Sequence, residues 1–448
     1  MDVVLLSRIQ FALTIAFHYI FPPISIGLGV ILVIMEGLYL RTKNPLYERM
    51  TKFWVEIFGL VFLMGVASGI VMEFQFGTNW SYYSRYAGDV FGSLLAAEGI
   101  FAFFLESGFL AVLLFGWNKV GPQTHFFSTL MVALGAVFSA VWIVAANSWM
   151  QTPAGFHIVT QGLQPRAEIT DFWALVFNPS SMDRLLHVLL GAWQTGAWLV
   201  ISVSAYYLLK KQFENFAKAS LKIALVLAMA TSVLQLFSGH FSAMLVSKYQ
   251  PAKLAAMEGI YEKNAPASMS LFGYVNEKSE KVTSLAVPNG LSILVHFNPF
   301  KPVPGLRNFP RSDWPPVSIT FQSYHLMVMI GMGMIGLCML GCFLWRRGSL
   351  FTNVGVLRLL MVAGVGPQIA NQAGWVTAEV GRQPWIVYGL LRTAQGVSRS
   401  VGAGQVLTSI MLFACVYALL FCLFIFLLVH KIRIGPVETA EGQGSTRT

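Results

Sequence analysis

The sequence predicts an all-α integral membrane protein of about nine transmembrane helices, and three observations carry the prediction. Of its 448 residues, 56% are hydrophobic and only 11% charged, where soluble chains carry about 25% charged residues. Long stretches hold no Asp, Glu, Lys or Arg: Ile9–Met35, Val120–Pro165, Leu185–Leu209, Ile223–Ser247, Trp314–Trp345, Leu359–Ala378 and Ser400–His430. Most exceed the ~20 residues that cross a hydrocarbon core. Basic residues, finally, gather in alternate loops, the distribution that orients a polytopic chain.

The first span, Ile9–Met35, follows only "MDVVLLSR" and is too long for the apolar core of a leader, so no cleavable signal peptide is expected. The second is Phe53–Phe76, with Glu56 and Glu73 near its ends. The third, Val90–Trp117, carries Glu98 and Glu106 inside an otherwise apolar helix, and the remaining charge-free runs supply the fourth to ninth. Arg41, Lys43, Arg49 and Lys52 follow the first span; Lys119, Lys210, Lys211, Lys218, Lys222, Arg346, Arg347 and Arg358 fall on the same side, and Lys431, Arg433 and Arg447 end the chain there. The opposite short loops carry few basic residues, Arg85 in one and Arg166 and Arg184 in another. The N-terminus is therefore expected outside and the C-terminus in the cytoplasm.

Residues 1–430 are expected to form a single polytopic membrane domain, and 431–448 a cytoplasmic tail. A polar external loop of about 248–320 is inserted between the sixth and seventh helices, with "PNG", "KPVPG" and "WPP" turn signals and eight Lys or Arg. Loops of this length are usually functional or disordered. The net charge of +10 follows the topogenic loops, which points to anionic lipid and not to nucleic acid. Cys338, Cys342, Cys415 and Cys422 all lie in apolar helices, where packing is expected and disulfides or paired-cysteine metal sites are not. No internal repeat is evident, which speaks against a repeat-built transporter.

Ionisable groups inside the membrane are costly and mark function by default. Here they are His18, Glu98, Glu106, His187, His240, His325 and Glu379. His187 begins the fifth span, His325 and Met327 begin the seventh, Glu379 closes the eighth, and His18 lies roughly 13–15 Å into the first at 1.5 Å per residue. Imidazole and thioether together make a six-coordinate, electron-transferring heme iron, whereas a single protein ligand leaves a position open for a gas. His187 with Met327 suits the first arrangement, and His18 and Glu379 each suit the second. An interhelical hydrogen bond is the plain alternative for any one of these histidines, and packing for any one of the 19 methionines. Glu98 and Glu106 stand eight residues apart, about 12 Å and roughly 80° around an α-helix, so both can line one polar seam that relays protons. Ser139 and Asn147 extend that seam from the fourth span. Arg382 can pair with a carboxylate or a propionate, and Trp375 and Trp385 can stack on a macrocycle or mark the membrane interface.

Five stretches, "SRIQFALTIAFHYIFPP", "LLAAEGIFAFFLESGF", "SAVWIVAANSWMQTPAG", "QPAKLAAMEG" and "GWVTAEVGRQPW", occur in order from the first span to the eighth. In them the chain resembles subunit I of the cytochrome bd-type quinol oxidases, and the Gly-Arg-Gln-Pro-Trp element is the most specific. The resemblance implies a heme-bearing subunit of a terminal respiratory oxidase in the bacterial cytoplasmic (inner) membrane. It would oxidise quinol at the outer face, reduce O2 to water and build a proton gradient without pumping. His187 and Met327 would hold a low-spin heme b. His18 and Glu379 would hold two high-spin hemes, a heme b and a heme d or a further heme b in its place, with Trp375 and Arg382 lining that pair. Lys253 and Glu258 would bind quinol, and Glu98, Glu106 and Ser139 would form a proton path. A second oxidase subunit and small accessory subunits are implied as partners. The short external loop is similar to the cyanide-insensitive-type branch, and His325 stands where many members carry arginine. Two other classes compete: a two-heme b-type protein exchanging electrons with quinone without reducing O2, and an ion-coupled transporter built on Glu98 and Glu106.

Overall fold

The computed structural model describes residues 2–162, 164–262 and 265–437; the expected tail beyond 437, with Arg447, and loop residues 263–264 lie outside the described residues. Among the described residues nine helical spans are long and apolar enough to cross a membrane. The first is not one helix. α1 (Val3–His18) stops at His18, and α2 (Phe21–Thr42) restarts on Pro22 and Pro23, which have no N–H to continue the ladder. The freed end of α1 is held from outside: Gln372 Nε2 donates to the Ala16 carbonyl and Gln368 Nε2 to that of Tyr19, both at 2.8 Å.

α3 (Pro45–Thr78) crosses unbroken, and α4 (Ser81–Tyr86) is a short turn after it. The third span is interrupted as well: α5 (Gly88–Glu98) passes through a π-turn at Gly99–Phe103 into α6 (Phe104–Phe115). Such turns, widened by one residue, concentrate at functional sites. α7 (Pro122–Gln151) is continuous. A hairpin of β1 (Phe156–Val159) and β2 (Arg166–Ile169) and the short α8 (Phe172–Val176) lead into α9 (Ser181–Lys210).

α9 is the axis of the bundle, with Ala197, Trp198, Val200 and Ile201 fully buried. It meets α2 backbone to backbone, since a Cβ on Gly27 would lie 2.4 Å from the Ala192 carbonyl oxygen and one on Gly196 equally close to Gly27. Small residues at such crossings give membrane helices their contact in place of a hydrophobic drive.

α10 (Glu214–Tyr249) and α11 (Pro251–Glu258) open the polar loop. The loop is more ordered than its turn signals suggest: β3 (Met269–Asn276) pairs antiparallel with β4 (Lys281–Val287), and α12 (Gly290–His296) follows. α13 (Val317–Arg346) returns through the bundle. The eighth span is broken again, α14 (Val354–Ala363) giving way to α15 (Gly366–Val380) at Pro367. A last hairpin, β5 (Trp385–Val387) with β6 (Leu391–Arg392), and α16 (Thr393–Gly396) precede α17 (Ala403–Ile434). The molecule is thus helical with three two-stranded hairpins added outside the spans. The four cysteines are free thiols.

Candidate functional site

His18, the last residue of α1, sets its Nδ1 3.0 Å from Ser68 Oγ on α3. Ser68 Oγ donates in turn to the Met64 carbonyl at 2.8 Å, so its lone pair faces the ring and Nδ1 carries the proton. Nε2 keeps its lone pair. Opposite stands Gly69, where a Cβ would come within 3.2 Å of His18 Cε1.

His187 on α9 repeats the device, with Nδ1 3.1 Å from Ser238 Oγ on α10. Gln235 Nε2 lies 3.1 Å and 3.0 Å from the two ring nitrogens. A donor equidistant from both nitrogens of one imidazole sits over its face, not along either in-plane lone pair. Gly239 faces the ring, where a Cβ would be 3.7 Å from Cε1. Met327 on α13 faces a third glycine: a Cβ on Gly374 of α15 would lie 2.9 Å from Sδ.

Glu379 ends α15 inside a network of polar side chains. Oε1 accepts from Asn147 Nδ2 at 3.1 Å and Gln151 Nε2 at 3.2 Å, and Oε2 is paired with Arg382 Nη2. Asn147 Oδ1 is itself held by Arg184 Nη2 at 2.5 Å. Arg184, Arg382 and Lys253 thus surround one carboxylate, and Nε and Nη1 of Arg382 are buried without partners. That excess of positive charge fits an anionic group bound beside Glu379. Trp375 joins this network to α1, packing edge-on against Tyr19 at 5.4 Å and under Arg184 at 5.8 Å. Asn147 therefore serves Glu379 and not the acidic seam expected of it.

The seam itself forms. Ser139 Oγ donates to Glu98 Oε1 at 2.7 Å, and one turn away a Cβ on Gly135 would lie 2.8 Å from Glu106 Cβ. Counting the π-turn as one extra residue, Glu98 and Glu106 behave like seven α-helical residues and diverge by only about 20°, not 80°. Both therefore face α7.

Lys253 and Glu258 point apart on α11. Lys253, 5% exposed, donates from Nζ to Gln151 Oε1 at 2.7 Å. Burial, with Arg184 and Arg382 nearby, pulls its ammonium well below the ordinary lysine value. Glu258 accepts from the Ser270 N–H at 3.1 Å and bonds the Tyr324 hydroxyl. Burial outweighs those bonds and pushes its carboxyl up to about 7.

Sequence reasoning missed several groups. Arg184 stands one turn before His187, and Gln151 and Gln250 flank the 151–181 and 248–320 loops. Glu36 and His125 are wholly buried, with Nδ1 2.7 Å from Glu36 Oε1 and Thr129 Oγ1 donating to Oε2 at 2.5 Å. Glu36 stands among Leu32, Val33, Tyr39 and Leu40 on α2, a signal that marks it as an isolated ionisable group, whereas His125 shares its face of α7 with Ser128 and Thr129 and carries no such signal. His325 is not available as a ligand: its nitrogens face the Phe321 and Ser270 carbonyls at 2.8 and 2.9 Å. His240 packs on Phe241 and Phe297.

The donor set fits heme. His18, His187, Met327 and Glu379 are all only partly buried, and the two histidines and Met327 are each faced by a glycine. Among the described residues no three His, Cys, Asp or Glu side chains converge, so the chain offers isolated axial ligands of the kind a macrocyclic iron takes.

Residues 6–436 match the family model for cytochrome bd terminal oxidase subunit I. The chain is 41% identical to cytochrome bd ubiquinol oxidase subunit 1 of Bacillus subtilis (strain 168), covering 97% of this chain and 94% of that one. It is 34% identical to cytochrome bd-II ubiquinol oxidase subunit 1 of Escherichia coli (strain K12), covering 97% of each. The bd oxidase structure from Geobacillus thermodenitrificans is similar with a TM-score of 0.89 at 30% identity, over 97% of this chain and 99% of that one.

Proposed function

The chain belongs to the cytochrome bd terminal oxidase subunit I family, and from that premise we propose how its own residues divide the work of a quinol:O2 oxidoreductase. It is a multi-pass inner-membrane protein of the respiratory chain, carries heme, and takes quinol and O2 as substrates. Family membership decides for the oxidase over the two-heme electron carrier and the transporter.

His187 and Met327 would hold a low-spin heme b. His18 and Glu379 would each hold one high-spin heme, a heme b and a heme d or a further heme b. When bound, these groups supply one-electron transfer and, at an open coordination position, oxygen reduction. Ser68 fixes the tautomer of His18 and Ser238 anchors the ring of His187, as second-shell partners of ligating imidazoles do. Arg382, with two buried N–H groups unpaired, takes a propionate, and Trp375 walls the space between Tyr19 and Arg184.

Lys253 orients a quinol oxygen, and Glu258, poised near neutrality, accepts its proton. Glu98, Glu106 and Ser139 pass protons inward along α7. With the polar loop outside and both N-terminus out and C-terminus in, quinol protons leave on one side and oxygen's protons come from the other. Charge then separates without a pump. A second subunit and small accessory subunits complete the complex.

The observation that carries this reading is the pair His18 and His187, each with Nδ1 tied to a serine and Nε2 without an in-plane partner, Gln235 lying over the face of the His187 ring. Reduced-minus-oxidised and CO-difference spectra of the purified complex test it. Both low-spin and CO-reactive high-spin signals are expected, and a colourless complex sinks the reading.

A further inference from the structure

Gln151, the last residue of α7, is 3% exposed and uses every polar atom of its carboxamide. Oε1 accepts from Lys253 Nζ at 2.7 Å and from Gln250 Nε2 at 2.9 Å, and the backbone carbonyl accepts from the same Gln250 amide at 2.9 Å. Nε2 faces Glu379 Oε1 at 3.2 Å and the Ala378 carbonyl at 3.3 Å. The orientation of this amide is not arbitrary. An ionised carboxylate and a backbone carbonyl only accept, so the NH2 must face Glu379 and Ala378, which leaves the oxygen for Lys253 and Gln250. A flip would set NH2 against the Gln250 amide and oxygen against the carboxylate and the Ala378 carbonyl.

We propose that Gln151 is a positioning residue that couples the polar loop to the Glu379 centre. A quinone or quinol oxygen that recruits Lys253 Nζ loosens its bond to Gln151 Oε1 and weakens the fix on the amide. The donor presented to Glu379 changes with it. The coupling travels through one side chain with one allowed orientation, and bonds in such a series polarise each other. The inference rests on reading Lys253 as a quinol contact and Glu379 as an iron ligand.

Asn147 supplies the contrast. It donates to the same Glu379 oxygen at 3.1 Å but is held by Arg184, with no bond to Lys253. Without Gln151, therefore, Glu379 keeps Asn147 and Arg382, and the site stays assembled.

The test uses the purified complex in detergent. The heme whose absorption is lost in Glu379→Ala is titrated potentiometrically with and without a saturating short-chain quinone. In the unsubstituted protein quinone shifts the midpoint of that heme by an amount equivalent to a coupling of about fivefold or more. Gln151→Leu abolishes the shift while retaining the heme, and Gln151→Met, equally long and without donors, does the same if the leucine variant assembles poorly. Asn147→Leu changes the band of that heme but keeps its response to quinone. A quinone shift that survives in both Gln151 variants overturns the proposal, as does the absence of any shift in the unsubstituted protein. If Gln151→Leu and Asn147→Leu behave alike, Gln151 is only structural. Should Glu379→Ala keep every heme band, the ligand assignment beneath the proposal fails, which is a separate result.

Discussion

Two pairs of the histidines in the membrane part of this chain differ in hydrogen-bond accounting. His18 and His187 are partly buried, and each ties Nδ1 to a serine hydroxyl on a neighbouring span, with Gln235 over the face of the His187 ring. His125 and His325, 2% and 3% exposed, have partners at both nitrogens: Glu36 and the Leu113 carbonyl for one, two carbonyls for the other. An imidazole can bind iron only through a nitrogen with a free lone pair. On the proposed reading the first pair holds heme iron, while the second holds the chain together. The same residue type serves two ends, and the neighbours decide which.

The strongest way to break this contrast is to remove the rings. His187→Ala is expected to abolish the low-spin heme signal and His18→Ala one high-spin signal, each lowering quinol oxidase activity more than about 100-fold, beyond what second-shell losses cost. His125→Gln and His325→Gln are expected to keep the full heme complement by pyridine hemochrome assay. Loss of the high-spin signal with an intact low-spin signal in His187→Ala reverses the assignment.

A methyl group at a facing glycine should act next most strongly. Gly374→Ala places a Cβ 2.9 Å from Met327 Sδ, closer than contact allows, so the low-spin band should broaden or shift to a five-coordinate form. Gly239→Ala places one 3.7 Å from His187, an ordinary contact, and should leave the spectrum unchanged. Equal effects would show that the glycines do not shape the ligand pockets.

Smaller still, Ser68→Ala and Ser238→Ala free the tautomer without touching the ligand nitrogen. Heme retention should fall by about 10- to 100-fold in competition with apomyoglobin as acceptor. A serine variant that releases heme no faster than the unsubstituted protein removes the serine from the argument.

The mildest change is in pH dependence. Glu258 accepts a proton only when ionised, so quinol oxidation should decline as pH falls through about 7, where half its carboxyls are protonated. Glu258→Gln should be slow and lack that limb between pH 6 and 8. An unchanged limb assigns it to another group.

Much of the bundle could be read from the chain because bilayer thickness and charge asymmetry act on composition alone. The nine spans and the order of the basic loops follow from runs of uncharged residues such as Ile223–Ser247 and from clusters such as Lys210 and Lys211. The breaks were written there too, in Pro22, Pro23 and Pro367, although an apolar run conceals whether it is one helix or two. The three hairpins were not foreseen, since β3 and β4 are short and pair within a loop whose turn residues suggested only irregular chain.

The candidate site divides in the same way. Which side chains were costly, His18, Glu98, Glu106, His187, His240, His325 and Glu379, followed from the sequence by itself, because the penalty for a polar group in hydrocarbon does not depend on its neighbours. What each one does depended on packing. Asn147 turned from the seam toward Glu379, the π-turn brought Glu98 and Glu106 onto one face, and Gln151 joined Lys253 to Glu379 across 102 and 228 residues of sequence. Hydrogen bonds are short and directional, so only the tertiary structure could decide which lone pairs were taken and which were left for a ligand.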